Sequence, residues 1–186
     1  MKILCYLCLL IPSFAVAQVY ETVEDIYFEK IISIENRTKD ELFLAAKEWL
    51  AETTWMGKDL IGFEDRSNGK IVAYGNEAIN VKIENAVKIL GAVTKKKINT
   101  NNRLLFVLKI YCQDNRTKFS LIRTKVALLN RGVIEKQAPL TKFYFNKNGV
   151  PRTKTKELKR EINAIFNRVA LDYEQSLKKN RKFGDW

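Results

Sequence analysis

The chemistry open to this chain is bounded first by what it lacks. There is no histidine among its 186 residues. That removes the commonest general base, the Ser-His-Asp and Cys-His triads, and every imidazole metal site. Of the three cysteines, Cys5 and Cys8 fall at the very start and only Cys112 lies beyond, so thiolate zinc sites are excluded too. No phosphate loop, dinucleotide fingerprint or nucleophile elbow occurs. Carboxylates and tyrosines remain. Glu64 and Asp65 are the best-placed acids for a carboxylate-based hydrolase, near the end of an expected strand. Neighbours on a strand point to opposite faces, so the two do not easily converge on one substrate atom. Cys112 falls at an apolar strand position and reads as a small buried hydrophobe rather than a reactive thiol. No catalytic residue, metal or cofactor is assigned.

Binding chemistry is better represented. The formal charge is +12, and Lys142 to Lys182 holds twelve Lys/Arg against four acids. Lys154, Lys159, Arg160, Lys178 and Lys179 are the candidate anion-binding residues there, for an anionic polymer or lipid headgroups. The plainer reading is a solvated helix surface. A second candidate is aromatic. Tyr27, Tyr74 and Tyr111 fall on strands and would line part of a sheet face, suiting a peptide, a glycan or a partner protein of the cell envelope.

The start of the chain points to export. Met1-Lys2 is followed by an apolar run, Ile3–Val16, broken only by Ser13, and then by Ala15-Val16-Ala17. A positive start, an apolar core and a small-x-small site make a secretory signal. The run is too short to span a bilayer as a helix, which takes roughly 20 residues. Cleavage after Ala17 would release a secreted or periplasmic chain beginning at Gln18. Cys5 and Cys8 lie inside the apolar core, too early to be the lipidated residue of a lipoprotein. No other stretch is long and apolar enough for a span. Export argues against a nucleic-acid partner. Residues 18–182 read as one domain and 183–186 as a tail.

The elements that would position these residues are as follows. Gln18–Asp25 reads as an irregular lead-in. Ile26–Ile34 alternates as a strand, with Lys30 the exception on its apolar face. Thr38 and Glu41 form a capping box, and Leu42, Ala45, Ala46, Trp49 and Leu50 follow on one helical face. Leu60–Asp65 and Ile71–Tyr74 read as strands joined at Ser67-Asn68-Gly69-Lys70, where Asn-Gly suits a type I′ turn. Gly75–Asn102 is ambiguous: Ala78–Ile83 alternates like a strand, Ile83–Val93 equally suits a helix, and Thr94–Asn102 reads as an exposed loop. Arg103–Leu129 is a long hairpin turning at Gln113–Arg116. Leu104, Phe106, Leu108, Ile110 and Cys112 share one face of its first strand, and the return strand changes parity, which a bulge near Leu121–Ile122 would reconcile. Arg131–Gly149 is a connection with a short strand at Phe143-Tyr144-Phe145. A long helix, about Thr155–Lys179, carries the stripe Leu158, Ile162, Ile165, Phe166, Val169, Tyr173 and Leu177. Two helices with one apolar face each, and an antiparallel strand pattern, predict a two-layer α+β sandwich: a curved antiparallel sheet with both helices on one side.

Several of these residues carry a resemblance. They are the Phe28-Glu29-Lys30-Ile31-Ile32 strand, the Asp40-Glu41-Leu42-Phe43 helix opening, Glu48-Trp49-Leu50, and the Asp65…Gly69-Lys70-Ile71-Val72-Ala73-Tyr74-Gly75 hairpin. The alternation of apolar and basic residues along Val107–Arg123 adds to it. Together they resemble a family of secreted proteins from Bacteroidetes-type bacteria, a domain of unknown function with a TBP-like fold. The likeness covers roughly Ile26–Leu128 and the final helix. It departs at Asn76–Asn102, which is longer than the family pattern. The resemblance implies a TBP-like fold and export, and no activity. "TBP-like" describes a shape and does not transfer DNA binding.

Overall fold

The computed structural model describes residues 17–22, 25–53, 61–79, 101–130, 133–152 and 155–179. The segment 1–16, the strand-or-helix alternatives beyond Ile79, the 80–100 stretch, Lys154 and the 183–186 tail lie outside the described residues. Strands β1 (Gln18–Glu21), β2 (Ile26–Ser33), β3 (Ile61–Asp65), β4 (Lys70–Ile79), β5 (Asn101–Gln113), β6 (Arg116–Asn130) and β7 (Val133–Pro139) form one antiparallel sheet. Its order is β1-β2-β6-β5-β4-β3, and β7 pairs β6. β2 takes Arg116–Leu121 of β6 and β7 takes Lys125–Asn130, so both lie along the edge of β6 that β5 leaves free. The helices are α1 (Lys39–Glu52), a single turn α2 (Thr141–Tyr144) and α3 (Lys156–Lys178).

The central hairpin forms for the reason its alternation gives. Leu104, Phe106, Leu108, Ile110 and Cys112 are all buried. The chain reverses at Asp114-Asn115, where Asn115 takes a left-handed φ of 64°, a conformation that asparagine tolerates better than most residues. The Asp114 carboxylate accepts the Lys39 N–H at 2.7 Å, and the Asn115 N–H donates to the Arg37 carbonyl at 2.8 Å. The hairpin tip is thereby fastened to the entry of α1.

The parity change in β6 is a bulge, two residues beyond its expected place. Leu105 pairs Lys125 and Val107 pairs Ile122, so Arg123 and Thr124 together oppose Phe106. Before it Thr117, Phe119 and Leu121 are buried; after it Thr124 and Val126 are. The extra residue keeps apolar side chains on one face across both halves of the strand.

Both helices pack on that face. The capping box of α1 is complete: Thr38 Oγ1 accepts the Glu41 N–H and the Glu41 carboxylate accepts the Thr38 N–H. Leu42, Ala46, Trp49 and Leu50 are buried, as are all seven residues of the α3 stripe. Trp49 meets Phe119 with ring centroids 6.2 Å apart and Tyr173 at 4.8 Å, while Phe28 meets Phe166 at 5.8 Å. Burying a large apolar side chain contributes roughly 1.5–3 kcal/mol. These rings therefore outweigh any single surface ion pair, worth about 0–1 kcal/mol. Lys30 stays on the helix side because it pairs with Glu174 of α3.

Four expectations are corrected. Gln18–Glu21 is a strand rather than a lead-in; Val19 packs on the core and Tyr20 stacks on Tyr27 at 4.7 Å, so two side chains hold a strand too short to show a period. The connection after the hairpin contains β7, an edge strand ending at Pro139, where the missing N–H is tolerated. Phe143 and Tyr144 lie in a helical turn rather than a strand, both buried. The β3–β4 turn is wider than type I′: it spans Arg66–Gly69, and of Asn68 and Gly69 only Gly69 is left-handed, at φ 62°. The Asp65 carboxylate accepts the Ser67 hydroxyl, the Asn68 N–H and the Asn68 side-chain amide, which builds the longer loop.

Candidate functional site

The helices cover one face of the sheet. Among the described residues no element covers the other. Ile26 and Phe28, Ala73 and Gly75, and Ile110 and Cys112 are buried towards the helices, so the intervening Tyr27, Tyr74 and Tyr111 all lie on the open face. Tyr74 pairs Val107 and Val107 pairs Ile122, and extending the β2–β6 register by one residue places Tyr27 opposite Ile122. Tyr27 and Tyr74 therefore stand in one row, three strand spacings or about 14 Å apart. Tyr111 lies four residues along β5 from that row, about 13 Å away. The three predicted tyrosines share a face and do not converge on one point.

Their surroundings differ. Tyr27 is stacked on Tyr20. Tyr74 is 55% exposed, and its ring lies on Gly62: a Cβ there would come within 2.5 Å of ring atom Cε2. Tyr111 stands in a depression of about 510 Å³ lined also by Glu29, Ile31, Lys109, Arg116 and Lys118. It pairs Lys118 on one side and Lys70 on the other. The Lys70 ammonium sits 5.7 Å from the Tyr111 ring centroid and 5.4 Å from that of Phe63, both cation–π distances. Lys118 pairs with Glu29 at 2.8 Å, and that hydrogen bond raises its pKa from 10.5. The Ser120 hydroxyl donates to the same carboxylate at 3.1 Å, and Arg116 Nε donates to Gln113 Oε1 at 2.9 Å.

Lys70, Lys109, Arg116 and Lys118 were missed as site residues because the charge tally drew attention to the C-terminal region. The signal that finds Lys109, Arg116 and Lys118 is the apolar–basic alternation of the Val107–Arg123 hairpin, while Lys70 shares the parity of Tyr74 on β4 and meets them only through the register. On a sheet with one face packed, that alternation puts every cation on the other face.

The C-terminal cations do not form one site. Lys159 pairs with Glu21 of β1 and lies 4.6 Å over the buried Tyr144 ring. It ties the last helix to the first strand. Arg160 is exposed. Lys178 pairs with Glu174 one turn away, and exposed Lys179 is the C-cap. The two groups sit at opposite ends of α3, about 28 Å apart at 1.5 Å per residue.

The carboxylate pair separates as expected of strand neighbours. Glu64 reaches Lys47 of α1 at 2.9 Å, on the helix side. Asp65 is held in the β3–β4 turn, where the Ser67 and Asn68 hydrogen bonds pull its pKa down from 3.8 to about 2. A second depression, of about 400 Å³, lies between the C-terminal part of α1 and α3. Its charges are turned on neighbouring groups: Arg168 meets Glu77 at 3.0 Å, and the Trp49 indole meets Asp172. Among the described residues no three acidic or thiol side chains cluster to hold a metal, and no helix is long and apolar enough to cross a membrane. Cys112 is buried, which pushes its thiol pKa from 9.0 up to about 11.

An open antiparallel sheet with helices packed on one face and, among the described residues, no element on the other has the layout of the TBP-like class of α+β domain. The chain belongs to the family described as "Domain of unknown function (DUF4468) with TBP-like fold", whose model matches residues 28–126. A DUF4468 family protein from Bacteroides ovatus is similar in structure, with TM-score 0.60 and 15% identity over 89% of this chain and 93% of that one. A TBP-like protein from Parabacteroides distasonis gives TM-score 0.58 and 18% identity over 83% and 94%. At such identities the likeness is one of fold. No curated protein matches the sequence.

Proposed function

We propose that this chain is an exported, non-catalytic binding protein of the bacterial envelope that takes its ligand on the open face of the sheet. The observation that carries the reading is the Tyr111 depression. An outward tyrosine, ringed by cations, stands on a face that no described element packs against. A folded domain gains nothing in its core from such an arrangement, whereas a ligand finds there an aromatic surface and hydrogen-bond donors. Export rests on the three-part signal of residues 1–17. A peptide, a glycan or a partner protein of the envelope fits the surface.

Two other readings have less behind them. Binding an anionic polymer or headgroup through Lys142–Lys182 loses force because Lys159 and Lys178 are already ion-paired. A hydrolase using Glu64 and Asp65 would need both acids at one substrate, and one faces the helices while the other holds a turn.

The test is Tyr111→Ala, with its melting temperature checked against the native protein. The variant should fold and should retain much less of whatever the native protein captures from its own envelope extract. A folded variant with undiminished capture overturns the proposal.

A further inference from the structure

The proposed binding face carries a charge pattern that folding alone does not explain. Val72 pairs Lys109 while Lys70 pairs Tyr111, and Lys109 pairs Ser120 while Tyr111 pairs Lys118. Lys109 is thus the diagonal neighbour of both Lys70 and Lys118, at roughly 7 Å, where like charges repel. Arg116 stands one pair further along β6, opposite Gln113. Glu29 is the one carboxylate lining the depression, and Lys118 and Ser120 already share it. Lys109, Arg116 and Lys118 therefore line the depression around Tyr111 with a single acid, and Lys70, whose other cross-strand neighbour is Asp65, flanks the ring.

Resting on that binding-face reading, we infer that Lys70, Lys109, Arg116 and Lys118 hold a carboxylate-bearing glycan laid over Tyr111. The Tyr111 ring offers a flat surface to the C–H face of a sugar ring. The cations pair with uronate carboxylates through charge-assisted hydrogen bonds. The side-chain amide nitrogen of Gln113, whose oxygen accepts from Arg116, remains for a sugar hydroxyl. An acidic peptide fits less well. The backbone groups of β5 and β6 are spent within the sheet, so an extended peptide finds no main-chain partners on the face; it would seek an edge strand. Single-stranded nucleic acid stacks successive bases on neighbouring rings; here the Lys70 ammonium stands between the Phe63 and Tyr111 rings, and Tyr27 and Tyr74 lie farther off. A membrane surface is flat, and this site is a depression.

The experiment measures affinity for an oligogalacturonate at physiological salt. The comparators are its methyl ester, polyglutamate, a single-stranded oligonucleotide and anionic phosphatidylglycerol vesicles. The native protein should bind the oligogalacturonate and lose that binding when the carboxylates are esterified. Lys109→Gln with Lys118→Gln should weaken it about tenfold or more, as the loss of charge-assisted bonds implies. Lys109→Gln alone should leave the unliganded melting temperature equal or higher, because a repulsion is removed. Arg160→Gln with Lys179→Gln should change nothing. Absence of oligogalacturonate binding, equal binding of any comparator, or indifference to the Lys109/Lys118 pair overturns the inference. Tyr111→Ala losing envelope capture while the protein shows no uronate affinity would sink the glycan alone and leave the binding face standing. Loss of neither would sink both.

Discussion

The Trp49 indole N–H donates to the Asp172 carboxylate at 2.9 Å. One residue belongs to the first helix and the other to the last, 123 positions apart in sequence. The bond joins α1 to α3 over the same face of the sheet, and so leaves the opposite face for other contacts. Asp172→Ala should cost about 1 kcal/mol, the net worth of one such hydrogen bond. Trp49→Ala should cost about 3–5 kcal/mol by opening a cavity against Phe119 and Tyr173. Urea unfolding checks both; similar costs for the two would show that the ring is not a core anchor.

Gly69 is required by its backbone. Its φ is +62°, and a Cβ there would stand 2.3 Å from the Cys112 carbonyl oxygen. The Gly69 carbonyl also accepts the Cys112 N–H at 2.7 Å, so the turn cannot simply move aside. Gly69→Ala should destabilise by about 2 kcal/mol, read from the shift in the urea midpoint. Asn68→Ala, without positive φ, should cost less.

Glu174 gives the fold an acid-sensitive tie. Burial works against its ionisation, but Lys178 and Lys30 outweigh burial and hold its pKa below 4.5. A depressed carboxylate pKa contributes stability that is present above the unfolded value and lost as pH falls through the folded one. The native protein should therefore lose stability on acidification below about pH 4.5. Glu174→Gln should be weaker by about 1 kcal/mol at pH 7 and show a shallower loss between pH 5 and pH 3. Parallel pH profiles for the two proteins would contradict this.

Cys112 should be inert in the native state. Its thiol is buried, lies 3.9 Å from the Thr117 hydroxyl, and has its pKa raised to about 11. A chain beginning at Gln18 should react with an aromatic disulfide reagent at pH 8 only after unfolding. Rapid native-state labelling would mean the central strand opens readily.

Much of this architecture is written plainly in the chain, and the exceptions have physical causes. The α1 capping box, the two helical stripes and the β5 alternation are local patterns repeated over many residues, and each places its side chains as it reads. Gln18–Glu21 and Val133–Pro139 have no such repetition. They are strands because a neighbouring strand already offers a free edge, which no local window contains. Phe143-Tyr144-Phe145 is apolar in any conformation, so periodicity does not separate strand from helix there. In the candidate site, the parity of Tyr27, Tyr74 and Tyr111 was legible and their separation was not, since separation depends on strand order. The cations around Tyr111 come from β4, β5 and β6, and only the register brings them together.

The most direct test is lysine footprinting. The protein is acetylated in the absence and presence of its own envelope extract, and protection is read at each lysine. Protection concentrated at Lys70, Lys109 and Lys118, with Lys156 and Lys179 labelled equally in both samples, is the result expected of a ligand on the open face. Protection along α3 with Lys109 and Lys118 unchanged would contradict it.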